Sequence, residues 1–378
     1  MRITIVMGFF LPMPPAAGGA TEKSWHGLAR EFAARGHEVT VISRSWQEWP
    51  DHETIAGVRH IRLPGFDHTA SLRRNLWRDA RWSWRVWRRL PAADLTIVNC
   101  ITLPVLLGWI RKRAGRIAVM TGRSPKGQYR FYRNIDHVLA VSSPVAEAIQ
   151  RENPKLARHS VVVGYPIACT QLDVPRSAAE DAPVTLGYVG RLHEEKGLDL
   201  LAAAAGLLAN QSDLPPWRLV ISGPSEISRG GSGPEFLAKL RHLLERALPS
   251  DRFDILPAAF DAEALARRYR EIDLFCYPSL AERGETFGVA VAEAMAAGAV
   301  PVVSALSCFK DFVKPDYNGA VFDHRGPDAA QKLAGTLAAL IKDHALRESL
   351  ATKAKAEVQR YDFPRMADRL LEEFSRLK

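Results

Sequence analysis

Short apolar runs alternate with segments of helical spacing along most of this 378-residue chain. Apolar runs of this length, bounded by glycine, proline or polar residues, are typical of buried strands. Their alternation with amphipathic helices predicts parallel sheets with helices on both faces, an α/β fold of doubly wound sheets. The predicted strands occupy residues 3–8, 39–42, 95–98, 117–120, 138–141, 184–189, 219–222, 253–256 and 272–277.

The first strand leads into a loop rich in Pro and Gly, and then into a predicted helix over 21–35. Thr21 is a candidate N-cap of this helix and Gly36 a candidate stop. The loop contains Gly18 and Gly19 but has no GxGxxG pattern, which disfavours an NAD enzyme.

The chain is too long for one ordinary hydrophobic core, so two domains are expected. Prolines and small or polar residues without periodicity predict a linker over 166–179. The four cysteines are scattered, without a CxxC pair, which disfavours a disulfide framework or a zinc site. No apolar run is long enough to cross a membrane, and the N-terminus has no signal-peptide pattern.

The stretch from Ser279 to Gly298 contains the most informative pattern. It predicts a loop with Gly284 and Gly288 after a buried strand, followed by a helix rich in Ala and Val. Free amides at a helix N-terminus attract anions, and Glu285 and Glu293 place two carboxylates beside that terminus. This arrangement suits a ligand with central phosphates and hydroxyls at both ends, such as a nucleotide sugar. The alternative is that the acids only complement the helix dipole, which explains Glu285 better than Glu293.

A second anion site is predicted at the start of the second half. The strand at 184–189 ends at Gly190, and Arg191 and Lys196 follow before the next helix. The strand at 219–222 also ends at a glycine, Gly223. Basic residues at a strand end are more often ordinary surface charges, but the nearby Glu pair favours a binding role.

Positive charge is concentrated in the first half. Residues 1–180 carry 26 Lys and Arg against 14 Asp and Glu, a net +12, whereas the remainder carries 25 against 28, a net −3. Residues 71–90 hold four Trp and seven Arg, and a helical projection places Trp77, Ala80, Trp84 and Trp87 on one side. This pattern fits contact with an anionic membrane surface and equally an ordinary packing helix with a solvated basic face. Nucleic-acid binding ranks last, because no groove-reading or RNA-binding motif is present.

The motifs resemble those of retaining glycosyltransferases of family 4, which have the GT-B fold. The resemblance rests on Glu285 and Glu293, on the following Gly298-Ala299-Val300-Pro301, and on Arg191 and Lys196. It implies two Rossmann-like domains facing a cleft, with the C-terminal helix crossing back to the first domain. The domains would be 1–165 plus 360–378, which binds the acceptor, and 180–359, which binds the donor.

The resemblance also implies roles for particular residues. Arg191 and Lys196 would hold the donor diphosphate, Glu285 the sugar hydroxyls and Glu293 the ribose hydroxyls. Metal or another cofactor would be unnecessary. Further contacts with a UDP- or GDP-sugar would come from Gly18, Gly19, Gly190, Gly223, Thr286, Phe287 and Gly288.

The first domain departs from the family pattern. Family members often carry a His near the loop at 121–133, where this chain has Thr121-Gly122-Arg123. Arg123 is therefore our candidate for a substrate contact, with Lys126 and Asn99 as alternatives. The missing His leaves open a non-catalytic GT-B protein that binds a nucleotide sugar or a membrane, and a nucleotide-sugar epimerase is a third possibility.

The expected acceptor is a glycan or a lipid-linked molecule used in cell-surface polysaccharide or lipopolysaccharide synthesis. We expect a cytoplasmic protein, at the inner face of the cytoplasmic membrane if residues 71–90 contact lipid, and no nucleic-acid partner.

Overall fold

The computed structural model describes residues 1–16, 19–173 and 182–376. The chain forms two compact units, one of Met1–Pro166 with Phe363–Lys378 and the other of Ile167–Asp362. The second unit begins inside the predicted linker, whose residues 174–179 lie outside the described residues. The predicted α/β class with two parallel-sheet domains is confirmed.

The first unit is built on a sheet of eight strands among the described residues, in the order β3-β4-β2-β1-β5-β6-β7-β8. All neighbours are parallel except β3 and β4, which form a hairpin that the sequence analysis did not predict. The short edge strand β8 was also not predicted. The strands are β1 (Arg2–Val6), β2 (Glu38–Arg44), β3 (His52–Ile55), β4 (Val58–Leu63), β5 (Leu95–Val98), β6 (Arg116–Thr121), β7 (His137–Ala140) and β8 (Ser160–Val162).

Helices cover this sheet. They are α1 (Ala20–Ala34), α2 (Leu72–Arg89), α3 (Leu103–Leu107), α4 (Arg111–Ala114), α5 (Ser143–Glu152) and the final helix of the chain, α13 (Phe363–Arg376). The predicted N-cap of α1 was wrong, because Gly19 caps the helix and Thr21 lies inside it. The predicted stop is confirmed, since α1 ends just before Gly36, which has a left-handed φ of +81°.

The C-terminal helix packs on the first unit, as the GT-B resemblance implied. A Cβ at Gly27 of α1 would lie 2.2 Å from the Phe363 ring of α13, so the absent side chain lets the two helices approach closely. An ion pair joins Arg35 Nε to Asp368 Oδ1 at 2.6 Å. Arg369 also donates to the carbonyl of Val162 in β8.

Helix α2 packs on the core through a face different from its tryptophan side. Trp82 is fully buried and donates from Nε1 to the carbonyl of Met7, and Val86 is also buried. Asp79 on the same face accepts hydrogen bonds from the backbone and hydroxyl of Thr102, at 2.7 and 2.6 Å. Burial raises the pKa of Asp79, and the Thr102 donors partly offset this. Trp77, Ala80 and Trp84 are exposed, so the tryptophan side is not the packing face.

The second unit contains, within its described residues, a parallel sheet in the order β11-β10-β9-β12-β13-β14. Its strands are β9 (Val184–Val189), β10 (Trp217–Ser222), β11 (Phe253–Leu256), β12 (Leu274–Tyr277), β13 (Val300–Ser304) and β14 (Ala320–Phe322). Its helices are α6 (Cys169–Leu172), α7 (Leu198–Ala209), α8 (Pro234–Ala247), α9 (Ala262–Arg270), α10 (Val289–Ala296), α11 (Ala329–Lys342) and α12 (His344–Val358).

The central strands β9 and β12 are completely buried and paired in parallel. Since both run in the same direction, the loops that follow Val189 and Tyr277 lie at the same edge of the sheet. The two predicted anion sites are therefore neighbours.

Candidate functional site

The candidate site lies at the carboxyl edge of β9, β10 and β12 in the second unit. The β9 loop passes through Gly190 to Gly197, and the β12 loop passes from Pro278 to Gly288. The two loops are bonded together, because Leu280 donates from its backbone to the carbonyl of Glu195 at 2.8 Å. A Cβ at Gly197, which has φ +66°, would lie 2.1 Å from the carbonyl oxygen of Pro278, so this contact requires glycine.

A nearly buried ion pair forms the centre of the site. Lys196 Nζ lies 2.7 Å from Glu285 Oε2, and the two side chains are only 6% and 11% exposed. The same oxygen accepts from the hydroxyl of Tyr277 at 3.1 Å and of Ser279 at 3.4 Å. Burial, together with the charge of Glu285, raises the pKa of Tyr277 well above its usual range. Tyr277 therefore stays a neutral hydrogen-bond donor that holds the carboxylate.

A second carboxylate links Arg191 to this pair. Glu195 Oε1 lies 2.9 Å from Arg191 Nη2 and 3.6 Å from Lys196 Nζ. Burial alone would raise the pKa of Glu195, but the charges of Lys196, Arg191 and His193 outweigh it and hold the pKa below its usual value. Arg191 also donates to the carbonyl of Gly230 at 2.7 Å, and its side chain is 45% exposed. Positive and negative groups thus alternate along the edge, with Arg191 the most accessible of them.

Two glycines bring the backbones of β9 and β10 together at this edge. Gly190 donates to the carbonyl of Ser222 at 3.0 Å. A Cβ at Gly223 would lie 1.7 Å from the carbonyl oxygen of Gly190, and one at Gly190 would lie 2.8 Å from the hydroxyl of Tyr188. Both positions therefore exclude side chains, which keeps the backbone at the edge accessible to a ligand.

The second acid of the pair, Glu293, is also held by a buried tyrosine. Glu293 is half-buried in α10, and its Oε2 accepts from the hydroxyl of Tyr269 in α9 at 2.8 Å. Tyr269 is 1% exposed, and burial with the charge of Glu293 raises its pKa well above the usual range. Glu293 lies four residues after Val289, where α10 begins, so it stands little more than one turn into the helix.

The residues that follow Glu285 and precede Glu293 differ in how deeply they are buried. Thr286 is half-buried, and Gly288 has φ +88° and caps α10. The ring of Phe287 is 1% exposed and stacks on Phe312, with centroids 4.9 Å apart. A contact between Phe287 and a donor would therefore be made by its backbone.

The first-domain candidates belong to the other unit. Gly19 caps α1 with φ +96°, Arg123 is exposed after β6, and Lys126 is exposed in the same loop. Asn99 uses its amide internally, accepting from Trp25 Nε1 at 2.6 Å and donating to the carbonyl of Val6. Gly18 lies outside the described residues.

Sequence reasoning missed the groups that orient the predicted side chains. These are Glu195 and the hydroxyls of Tyr277, Ser279 and Tyr269. Glu195 directly precedes Lys196, and Tyr277 ends the strand before the loop that contains Glu285, so their positions in the sequence could have identified both as neighbours of the site. The contact of Tyr269 with Glu293 could not be read from the sequence, because it depends on how α9 packs against α10.

Two kinds of feature are absent from the described residues. These residues contain no cluster of three or more His, Cys, Asp and Glu that could hold a metal ion. Nor does that part of the chain include a helix long and apolar enough to cross a membrane.

The chain has two parallel-sheet α/β units, with the C-terminal helix packed on the first. Paired cations and carboxylates lie at a sheet edge of the second. Together these features are those of a glycosyltransferase with the GT-B fold. Residues 171–357 match the family described as glycosyl transferases group 1, and residues 17–166 match glycosyltransferase family 4. The chain therefore belongs to glycosyltransferase family 4 and is a glycosyltransferase.

Curated relatives agree with this assignment. The chain is 28% identical to D-inositol 3-phosphate glycosyltransferase of Xylanimonas cellulosilytica, over 92% of this chain and 89% of that protein. It is 29% identical to phosphatidyl-myo-inositol mannosyltransferase of Mycobacterium tuberculosis, over 50% of this chain and 46% of that protein.

Solved structures share the fold. Sucrose-phosphate synthase from Thermosynechococcus elongatus superposes with a TM-score of 0.75 at 20% identity, over 100% of this chain and 99% of that one. Anabaena Alr3699/HepE, solved in complex with UDP and glucose, superposes with a TM-score of 0.71 at 17% identity, with both chains covered completely.

Proposed function

We propose that the chain transfers a sugar from a nucleoside diphosphate sugar to a glycan or lipid-linked acceptor, with retention of anomeric configuration and without a metal ion. The observation that carries this proposal is the alternating set Arg191, Glu195, Lys196 and Glu285 beside the glycines of the sheet edge. Cleavage of a glycosyl phosphate bond develops negative charge on the leaving diphosphate and positive charge on the sugar ring.

The cations of this set suit the leaving group. Arg191 is half-exposed and presents a guanidinium, whose planar donors match phosphate oxygens in pairs. Lys196 adds a positive charge deeper in the site, and the N-terminus of α10 adds backbone amides. These fixed positive groups would do the work that a metal ion does in other transferases.

The carboxylates suit the hydroxyl groups of the donor. Glu285 is oriented by Lys196, Tyr277 and Ser279, and would accept from hydroxyls of the sugar. Glu293, held by Tyr269, would accept from hydroxyls of the ribose. The leaving phosphate would serve as the base that takes the proton of the acceptor hydroxyl. Solved relatives of the fold that hold UDP, UDP-glucose or UDP-2-fluoro glucose favour a uridine donor.

The experiment is thermal stabilisation of the purified protein by UDP-, GDP- and ADP-sugars. A donor at one hundred times its Kd adds about 2.7 kcal/mol of stability, which raises the Tm of a domain of this size by roughly 5–10 °C. Glu293→Ala should lose the shift measured from its own Tm, whereas the exposed control Glu235→Ala should keep it. No shift with any donor would contradict the proposal. NMR of the product would then test retention of the anomeric configuration.

We also propose that α2 lies on an anionic membrane surface, which would bring the enzyme to a lipid-linked acceptor at the cytoplasmic face. Trp77 and Trp84 are 58% and 50% exposed, and Leu72 is 63% exposed. The guanidinium of Arg81 lies 4.7 Å from the ring centroid of Trp77, so tryptophan and arginine share one surface. Such a surface suits the layer of lipid headgroups, where indoles and cations are both favourable.

A further inference from the structure

A buried histidine joins the loop that carries Glu285 to the segment after β14. His324 lies two residues after β14, which is parallel to β13 and through it to β12, so this segment reaches the same sheet edge as the loop after β12. His324 Nε2 lies 3.1 Å from Glu282 Oε1, and Arg325 Nη2 lies 2.7 Å from the same oxygen. Glu282 is thus a point at which the segment after β14 holds the loop.

Glu282 stands in the same turn as Glu285. The backbone N–H of Glu285 donates to the carbonyl of Ala281 at 3.1 Å, and the N–H of Gly284 donates to the same carbonyl at 3.2 Å. Because Glu282 directly follows Ala281, a change in where its side chain is held displaces the turn that presents Glu285. The position of the acid assigned to the donor sugar therefore depends on a contact outside the site.

The two partners of Glu282 differ in burial. The side chain of His324 is 4% exposed, whereas those of Arg325 and Glu282 are 54% and 49% exposed. An ion pair between exposed groups contributes little to stability and leaves both side chains free to move in solvent. A buried imidazole is fixed by its surroundings, so His324 sets the direction of the Glu282 carboxylate.

Stability alone does not explain this histidine. Its other ring nitrogen, Nδ1, is buried and has no hydrogen-bond partner among the residues that the structure describes. A buried polar atom without a partner costs free energy, and an apolar side chain of similar size would avoid that cost. The contact with Glu282 is therefore the interaction that accounts for an imidazole at this position.

We infer that His324 is a positioning residue of the transferase, which holds Glu282 and thereby places the turn so that Glu285 meets the hydroxyls of the donor sugar. The inference rests on the proposed function, because it concerns the sugar-binding role of Glu285 in that reaction. Loss of His324 should weaken recognition of the sugar and preserve recognition of the nucleoside diphosphate, which is assigned to Arg191 and Lys196.

The test is calorimetric titration of the whole protein with three pairs of ligands, which are UDP-glucose and UDP, GDP-mannose and GDP, and ADP-glucose and ADP. The ratio of the two Kd values within a pair isolates the effect of the sugar on binding. For the nucleotide sugar that the wild type binds most tightly, His324→Leu should raise the Kd about tenfold, as expected for loss of one hydrogen bond to a charged group. The Kd of the matching nucleoside diphosphate should change less than about twofold, and the Tm of the variant should not fall.

Further variants identify the contact. His324→Gln keeps an N–H that can reach Glu282 and should retain the wild-type ratio. Glu282→Ala should reproduce the effect of His324→Leu, and the double variant should lose no more than either single variant, because both act through one contact. The matched control is His344→Leu, which removes a histidine 3.9 Å from Glu348 on the exposed surface of α12 and should leave both Kd values unchanged.

Three outcomes would overturn the inference. The first is an unchanged ratio of Kd values in His324→Leu. The second is a larger change in Arg325→Ala than in His324→Leu, which would assign the hold on the loop to the exposed ion pair. The third is a lower Tm of His324→Leu with equal weakening of both ligands, which would make His324 a purely structural residue. Failure of the wild type to bind any of these nucleotides would instead refute the proposed function, on which the inference depends.

Discussion

Removing Lys196 should destabilise the second unit because it leaves a charge buried. Lys196→Met replaces the ammonium by a side chain of similar length, and Glu285, 11% exposed, then retains only the hydroxyls of Tyr277 and Ser279 as side-chain donors among its described neighbours. Loss of one partner from a buried ion pair costs about 3–5 kcal/mol, and the two hydroxyls favour the lower end. A loss of about 3 kcal/mol corresponds to a Tm decrease of roughly 6–12 °C for a domain of this size.

The double variant Lys196→Met with Glu285→Gln removes both charges and should recover most of that loss. Only one of the nine tryptophans, Trp217, lies in the second unit, so total fluorescence would report mainly on the first. The assay is therefore urea unfolding, in which hydrogen exchange of peptides from β9 and β12 reports the unfolding of the second unit. The exposed pair of Lys239 with Asp199 provides the control, since Lys239→Met should leave stability unchanged. If the effects of Lys196→Met and Glu285→Gln simply add, the two charges are not coupled and the reasoning is refuted.

Two further predictions concern the first unit. His60 is buried without a hydrogen-bond partner for either ring nitrogen in the described residues, and burial with the charge of Arg62 lowers its pKa to about 4. Because this pKa lies below the unfolded value of about 6.5, the unit should lose stability as pH falls from about 6.5 to about 4. The Tm, measured across this pH range, should decline less for His60→Leu than for the wild type. Parallel curves of Tm against pH for the two proteins would contradict this. Replacing Trp84 and Trp87, whose rings stack at 4.9 Å, by Ala should weaken sedimentation with anionic vesicles at least about tenfold, whereas exposed Phe131→Ala should not. Unchanged vesicle binding would rule out α2 as the membrane contact.

The sequence predicted the central strands well because they are buried on both faces. β5 and β9 are buried throughout and have the predicted bounds, since an apolar run enclosed by polar residues leaves little freedom for where a strand starts. The hairpin of β3 and β4 was missed because His52–Ile55 alternates weakly and is largely exposed. Such a strand is held by its partner more than by its own composition.

Side chains that share a local sequence motif could be predicted, whereas features that depend on tertiary packing could not. Arg191, Lys196 and Glu285 could be predicted as neighbours because a local spacing carries them, and the structure brings all three to one sheet edge. The orientation of α2 was not predictable, because Trp82 and the exposed Trp84 are only two residues apart. Which indole is buried depends on tertiary contacts, such as the hydrogen bond from Trp82 Nε1 to the carbonyl of Met7.

The hydroxyl of Tyr165 has a consequence for how this chain can change. Since a Cβ at Gly122, in the loop after β6, would lie 2.2 Å from it, any larger residue at position 122 would collide with it unless position 165 became smaller first. The two positions are thus expected to behave as an epistatic pair, in which a substitution at 122 is harmful in the present background and tolerated once Tyr165 is shortened. Directed evolution towards an imidazole at position 122 is accordingly expected to need a change at position 165 as well, so a library that varies both positions should yield more folded variants than one that varies position 122 alone.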